Sequence, residues 1–197
     1  NECPTMNTSA LQSLLQTQYQ LEGHLSPLPG EVDLNYQLID SNHHSYLVKI
    51  SAPQPDLEWN DFQDQLLSLL NSLPLQVTTH QLIPNQQGAN YTQYGDRIVK
   101  VFTWVPGTVV AEISPHTPEF LNAIGNELGT ITAGFQTFDH PKAHRKYIWD
   151  LGQFNDIPFP DSDAFGQPLG AAIHHFRTLY HQKVTPQLPH LRQSIIY

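Results

Sequence analysis

Residues 45–50 read Ser-Tyr-Leu-Val-Lys-Ile, a β-branched and aromatic run with one lysine set into it. Strands of this composition usually bury at least one face. Lys49 then has two interpretations. Its side chain either reaches into a cleft and binds an anionic group, or it lies on a solvated face or sheet edge, where lysine guards against edge pairing. The sequence on either side of the strand favours the first.

The composition indicates a globular, acidic chain with a mostly uncharged polar surface. Of its 197 residues 39% are hydrophobic and 14% charged, and the formal net charge is −9. Nucleic acids and anionic membranes are disfavoured as partners because no basic block exists to bind them. A small anionic ligand is compatible, since a local lysine and backbone N–H groups can hold phosphate. With Cys3 as the one cysteine, no internal disulfide can form, and a cytoplasmic location is expected.

The first half of the chain predicts an antiparallel sheet with one inserted helix. Thr8 or Ser9 can cap a first helix, and Asp56 can cap a second one over residues 57–70. Val32, Leu34, Tyr36 and Leu38 alternate with polar residues, which predicts one buried face. Residues 84–97 are polar and predict a long loop. The predicted strands cover residues 21–25, 32–39, 45–50, 76–83 and 98–105.

The second half predicts helices. Thr117 or Ser114 can cap a helix that begins near Pro118, a favoured first-turn position for proline, and its apolar residues keep helical spacing over nearly twenty residues. The glycines at 125, 129 and 134 lower helix propensity there, so they predict close packing against another helix. A further helix is predicted over residues 169–180.

Several short motifs together resemble one family. They are residues 28–36 (LPGEVDLNY), 46–50 (YLVKI), 105–107 (VPG), 138–141 (FDHP) and 149–151 (WDL), with a weaker match at 188–192 (LPHLR). In this order and spacing the chain resembles the N-terminal portion of aminoglycoside phosphotransferase-like kinases of the hydroxylysine kinase type. The resemblance implies an α+β, protein-kinase-like fold. Its N-lobe would have five mostly antiparallel strands and one helix, and its helical C-lobe would be incomplete.

The resemblance implies a nucleotide cleft around Lys49, which would contact the α- and β-phosphates as a compact positive charge. The turn and strand from Pro29 to Asn35 would close over those phosphates. In kinases a helix glutamate orients this lysine, and Gln63 falls at about that position. The acids Glu58, Asp61 and Asp64 lie nearby, and a solvated helix face is the alternative reading for them.

The resemblance also implies a hinge and a substrate side. Backbone groups of Thr103, Trp104 and Val105 would meet the edge of adenine or guanine. Trp149 and Asp150 would lie near the substrate, although Trp149 is also compatible with a plain core position. These kinases take their catalytic base from an H-x-D-x-x-x-x-N loop, whose histidine aligns with Tyr197. No catalytic residue is therefore expected within the chain, and the Mg²⁺ ligands for ATP or GTP are expected beyond residue 197.

The resemblance thus implies a division of the chain into three segments and two candidate functions. Residues 1–19 would be a helical extension, 20–105 the N-lobe, and 106–197 the hinge and the first part of the C-lobe. The expected function is the nucleotide-binding portion of a small-molecule kinase that phosphorylates a hydroxyl of an amine or amino alcohol. The alternative is a non-catalytic, pseudokinase-like regulatory module. In some bacteria such a domain is joined to a class III aminotransferase, which the resemblance implies as a covalently linked partner.

A metal site within the chain is not expected. The eleven histidines show neither H-E-x-x-H nor Cys-His spacing, so surface histidine is the better interpretation.

Overall fold

A computed structural model describes residues 8–144, 150–156, 165–191 and 195 of the chain. Two compact units are formed, Asn1–Phe138 and Asp139–Tyr197. The lobe boundary that the resemblance implies at residue 105 stays a prediction. None of the described helices is long and apolar enough to cross a membrane.

The first unit is built on an antiparallel sheet. Its strands are β1 (Gly23–Leu28), β2 (Leu34–Asp40), β3 (Ser45–Ile50), β4 (Leu82–Ile83), β5 (Thr92–Tyr94) and β6 (Arg97–Thr103). The order is β1-β2-β3-β6-β4, and β5 also pairs with β6. All pairs are antiparallel, and β1, β2 and β3 form the expected meander.

Three strand predictions need correction. The sheet has six strands because Thr92–Tyr94, inside the expected loop, pairs with Arg97–Ile98–Val99 of β6. The strand expected over 76–83 shrinks to Leu82–Ile83, since only these two residues pair with β6. Val32 lies outside β2 and its side chain is exposed, whereas Leu38 is buried and Leu34 and Tyr36 are partly buried against the core.

Helix α1 (Thr8–Tyr19) covers one face of the sheet. Leu11, Leu15 and Tyr19 recur every four residues, so they lie on one side of the helix, and all three are buried. They pack with apolar residues of four strands, namely Leu25, Leu38, Val48, Ile50, Val99 and Val101. The helix expected as an N-terminal extension is therefore a layer of the core. Thr8 and Ser9 lie within the helix and are not its caps.

Helix α2 (Leu57–Ser72) lies after β3, as predicted, and Asp56 is its N-cap. The Asp56 carboxylate accepts hydrogen bonds from the backbone N–H groups of Glu58 and Trp59, both at 3.1 Å. Phe62 is the buried residue of α2, and its ring stacks on that of Trp59 at a centroid distance of 4.6 Å.

Helix α3 (Pro118–Phe135) begins as predicted, with the Thr117 side chain accepting a hydrogen bond from the Phe120 N–H. The expectation of close helix packing at its glycines holds at one position. A Cβ at Gly134 would lie 2.4 Å from the Leu73 side chain, directly after α2. At Gly125 and Gly129 a Cβ would meet nothing within 4 Å among the described residues, so that part of the prediction is wrong.

The second unit, described by itself, contains α4 (Leu169–Leu179) and several short helical turns. The Tyr180 ring packs on Phe154 at a centroid distance of 4.4 Å, and its hydroxyl donates to the Leu151 carbonyl. Large apolar side chains such as Leu151 and Phe176 are exposed.

Candidate functional site

The face of the sheet opposite α1 carries a cleft. Side chains alternate along each strand, so the buried positions Val48, Ile50, Val99 and Val101 leave their neighbours pointing to the other side. Helix α2 contributes residues spaced three and four apart, which form one helix face. Together they enclose a cavity of about 350 Å³, lined by Asp33, Leu47, Lys49, Ser51, Asn60, Gln63, Asp64, Leu67, His80, Ile98, Lys100 and Phe102.

The cleft changes from apolar to charged along the strands. Leu47 of β3 pairs in register with Phe102 of β6, and two positions further Lys49 pairs with Lys100. Two strand residues span about 6.6 Å. The apolar pair lies toward the end of β6 that leads into residues 104–107, so the lysines lie deeper along the strand. A ligand in which a flat apolar group is joined to an anionic group would match this order.

Lys100 is held in a buried ion pair. Its Nζ lies 2.5 Å from Oδ1 of Asp64 on α2, and the two side chains are 7% and 13% exposed. Lys100 is also one of two buried polar residues in the described part of the chain. A buried charge is tolerated only with a partner and further hydrogen bonds, and Asp64 supplies the partner. This pair fixes α2 against the sheet.

The second oxygen of Asp64 is also bound. Asn90 donates from Nδ2 to Asp64 Oδ2 at 3.0 Å. Asn90 lies in a loop that the buried Asn85 organises from within. Asn85 Oδ1 accepts from the N–H groups of Gln87 and Ala89 at 3.0 and 2.9 Å, and Nδ2 donates to the Tyr91 carbonyl at 3.0 Å. The loop, α2 and β6 are thus tied together at Asp64.

Lys49 has a different kind of partner. Its Nζ lies 3.2 Å from Oδ2 of Asp33, and both side chains are 36% exposed. Asp33 belongs to the turn between β1 and β2. The Asn35 side chain donates to the Pro29 carbonyl across this turn at 3.2 Å. Gly30 lies so close that a Cβ there would be 2.2 Å from the Asp33 carbonyl oxygen, which only glycine allows.

His80 lies at the end of the cleft nearest residues 104–107. Its Nδ1 lies 2.8 Å from the Thr103 carbonyl, and its ring packs edge-on against Phe102. A carbonyl oxygen only accepts, so Nδ1 carries the hydrogen and Nε2 of a neutral ring is an acceptor. The Thr103 N–H donates to the Gln81 carbonyl at 2.8 Å. Both backbone groups of Thr103 are therefore engaged within the chain.

The predicted site residues are placed as follows. Lys49 and Gln63 both line the cleft. The acid that contacts Lys49 comes from the turn, however, and the α2 residue that binds a lysine is Asp64, whose partner is Lys100. Asn35 of β2 pairs in register with Lys49 of β3, and its side chain donates to the Pro29 carbonyl across the turn.

The remaining predicted residues lie elsewhere. Val105 lines a shallow groove beside His80, and Trp104 is half-buried next to it. Asp150 belongs to the second unit, is exposed, and its Oδ1 accepts from the Gly152 N–H at 2.8 Å, so it caps a short helix. Trp149 lies outside the described residues.

The sequence prediction missed Lys100, and for Asp64 it left two readings open, an acid near Lys49 or part of a solvated helix face. Lys100 was visible as a charged residue in the most apolar strand of the chain, which is the signal for a buried or cleft-facing lysine. The spacing of Asn60, Gln63, Asp64 and Leu67 also indicated a common face. What the sequence lacked was the register that sets Lys100 beside Lys49.

The cleft carboxylates do not form a metal site. Asp33 contacts Lys49, and both oxygens of Asp64 are bound. No group of three or more histidine, cysteine, aspartate or glutamate side chains converges in the described residues.

No family model matches the chain, and no curated protein does. Solved structures do. A microcompartment-associated aminopropanol kinase matches with a TM-score of 0.67 at 19% identity, over 91% of this chain and 58% of that one. An amicoumacin kinase in complex with AMP-PNP, Ca²⁺ and Ami matches with a TM-score of 0.63 at 15% identity, over 96% and 58%. A spectinomycin phosphotransferase in complex with ADP and spectinomycin matches with a TM-score of 0.57 at 14% identity, over 91% and 56%.

The chain has the fold of small-molecule kinases. The predicted α+β, kinase-like fold class is thereby confirmed, and its neighbours are the aminoglycoside phosphotransferase-like enzymes that the sequence motifs resemble. The chain spans less than three-fifths of the length of these neighbours.

Proposed function

We propose that the cleft binds a nucleoside triphosphate and that the chain is the nucleotide-binding portion of a small-molecule kinase. The observation that carries this is the order of side chains along the paired strands, Leu47 with Phe102 and then Lys49 with Lys100. A nucleotide has the same order, with a flat apolar base at one end and phosphates at the other. Lys49, the more exposed of the two lysines, is the phosphate ligand.

In this proposal each part of the cleft has one role. The base lies against Leu47 and Phe102, at the end nearest Trp104 and Val105. Thr103 has both backbone groups engaged, so the base edge meets backbone atoms after it in the chain. The turn that carries Asp33 lies at the phosphate end. Mg²⁺ would neutralise phosphate charge in a kinase, and its ligands come from residues outside this cleft.

The proposed reaction is transfer of the γ-phosphate of ATP or GTP to a hydroxyl of an amine or amino alcohol. Two observations support this class. The sequence motifs resemble the hydroxylysine kinase type, and the structural neighbours include an aminopropanol kinase. Phosphate transfer by the full-length parent protein tests it, with a panel of amino alcohols and product detection by mass spectrometry. A phosphorylated amino alcohol is the expected result.

A non-catalytic nucleotide-binding module is the second candidate. It is favoured by one feature of the cleft, because Lys49 contacts an acid on a turn instead of one fixed on α2. The same assay separates the two candidates. A full-length parent that binds nucleotide but phosphorylates no member of the panel, and hydrolyses no ATP, would support the non-catalytic module.

Lys49→Met tests the binding site directly. A hydrogen bond to a charged group contributes about 1.5–3 kcal/mol, so the substitution should weaken ADP binding by about 10- to 150-fold. Isothermal titration calorimetry with ADP measures this. Lys183→Met is the matched control, because Lys183 is an exposed lysine of the second unit and its loss removes the same charge. If Lys49→Met binds ADP as well as wild type does, the phosphate role of Lys49 is wrong.

A further inference from the structure

The two lysines of the cleft are paired in register, but their ion pairs differ in burial and in distance. Lys100 and Asp64 are both largely buried, and Asn90 binds the second Asp64 oxygen. Lys49 and Asp33 are each about one-third exposed, at a longer Nζ–Oδ2 distance of 3.2 Å. The cleft thus contains two lysines and two carboxylates, which leaves no net charge to attract a phosphate.

A phosphate that enters this cleft must replace one of the two carboxylates. Removing Asp64 would leave a buried lysine unpaired and would break the contact with Asn90, which is strongly unfavourable. Displacing the Asp33 carboxylate from Lys49 only exposes that carboxylate further to water. The ion pair that is lost is partly exposed and contributes little to stability. The exchange therefore takes place at Asp33.

We propose that Asp33 is a built-in competitor for the phosphate site, a counter-ion that occupies Lys49 until nucleotide phosphates displace it. This inference rests on the proposed nucleotide function. It assigns Asp33 a role in setting affinity, and it makes Lys100 a positioning residue that holds α2 through Asp64. The turn that carries Asp33 moves its carboxylate away from Lys49 when the nucleotide binds.

Asp33→Asn removes the competing charge and keeps the size of the side chain. Because a partly exposed ion pair contributes about 0.2–1 kcal/mol, the variant should bind ADP and ATP about 1.4- to fivefold more tightly than wild type. Isothermal titration calorimetry with each nucleotide, at fixed Mg²⁺ and ionic strength, measures the change. Adenosine has no phosphates, so it should bind wild type and variant equally.

Two further variants separate this local effect from a change in overall charge. Glu112→Gln removes the same charge, but Glu112 is exposed and lies outside both the turn and the cavity lining, so nucleotide affinity should not change. In a Lys49→Met background, Asp33→Asn should no longer raise affinity, since the lysine for which the carboxylate competes is absent.

The outcomes distinguish the inference from the proposed function. If folded wild type and Asp33→Asn both fail to bind any nucleotide, the proposed function is wrong and the inference fails with it. If wild type binds and Asp33→Asn binds equally or more weakly, only the competitor role is wrong. Weaker binding that appears only with Mg²⁺ would instead make Asp33 a ligand of the nucleotide-bound metal.

Discussion

The two faces of the central sheet have opposite characters, although the same strands build both. On one face, Val48, Ile50, Val99 and Val101 are fully buried under α1. On the other face, Leu47, Lys49, Lys100 and Phe102 line an open cleft with two ion pairs. Because side chains alternate along a strand, successive residues face the core layer under α1 and the cleft in turn.

This division means that substitutions on the two faces should have separable effects. Changes under α1 should alter the free energy of unfolding and leave the cleft intact. Substitution of Lys49 should alter the proposed nucleotide binding in the cleft and leave the free energy of unfolding nearly unchanged. Lys100 sharpens the comparison, because it lies on the cleft face and, like Ile98, is buried as deeply as the core.

Lys100→Met should cause the largest loss of stability. Removing one member of a buried ion pair leaves the other charge uncompensated, which costs about 3–5 kcal/mol. Urea denaturation followed by circular dichroism measures the change. Lys49→Met is the matched control on the paired strand, since its half-exposed ion pair contributes about 0–1 kcal/mol. Equal losses for the two variants would contradict the assignment of Lys100 as the structural lysine.

Leu15→Ala should come next. Leu15 is 0% exposed in the α1 layer, and truncating a buried leucine costs about 2–5 kcal/mol through lost burial and a residual cavity. Gln12→Ala is the control, because Gln12 is exposed on the same helix. Measured by the same denaturation, only Leu15→Ala should lose stability, and the folded fraction should keep the ADP affinity of wild type. Altered affinity would show that the two faces are coupled.

Tyr19→Phe should have the smallest effect at neutral pH. The Tyr19 hydroxyl donates to the Val99 carbonyl at 3.1 Å and accepts from Thr92 at 3.2 Å. Loss of a net hydrogen bond costs about 0.5–1.5 kcal/mol. A variant as stable as wild type at pH 7 would mean that these bonds contribute nothing beyond packing.

The same variant reports a pH dependence. Burial raises the pKa of Tyr19 above the ordinary value of 10.0, an effect that the hydrogen bond from Thr92 opposes. The folded protein therefore favours the neutral phenol, and this stabilisation is complete below pH 10.0 and is lost as the pH rises through the folded pKa. The difference in the free energy of unfolding between wild type and Tyr19→Phe should shrink above pH 10.0.

Local signals account for what could be predicted from the sequence. Asp56 and Thr117 cap α2 and α3 as expected, because their side chains satisfy the first free N–H groups of a helix. The β-branched runs predict the strand at 45–50 and most of the strand expected over 98–105, which in the structure spans Arg97–Thr103. The short connections predict the meander order. The kinase-like fold could be predicted because these elements and their motifs occur in sequence order.

What failed depends on contacts between distant residues. Thr92–Tyr94 is a polar segment of three residues, and it becomes a strand only because β6 offers it an edge. The Lys100–Asp64 pair joins residues 36 positions apart, and no local pattern specifies it. The same holds for Asp33, whose contact with Lys49 depends on how a turn folds back over the sheet.

The register of β6 against β3 also bears on how faithfully the chain folds. A slip of one residue would turn Val99 and Val101 toward the cleft and force Lys100 into the apolar layer under α1. An unpaired ammonium group there would be far more costly than a small cavity. Lys100 therefore disfavours every slip of β6 against β3 by an odd number of residues, because each such slip would place its ammonium group in the apolar layer.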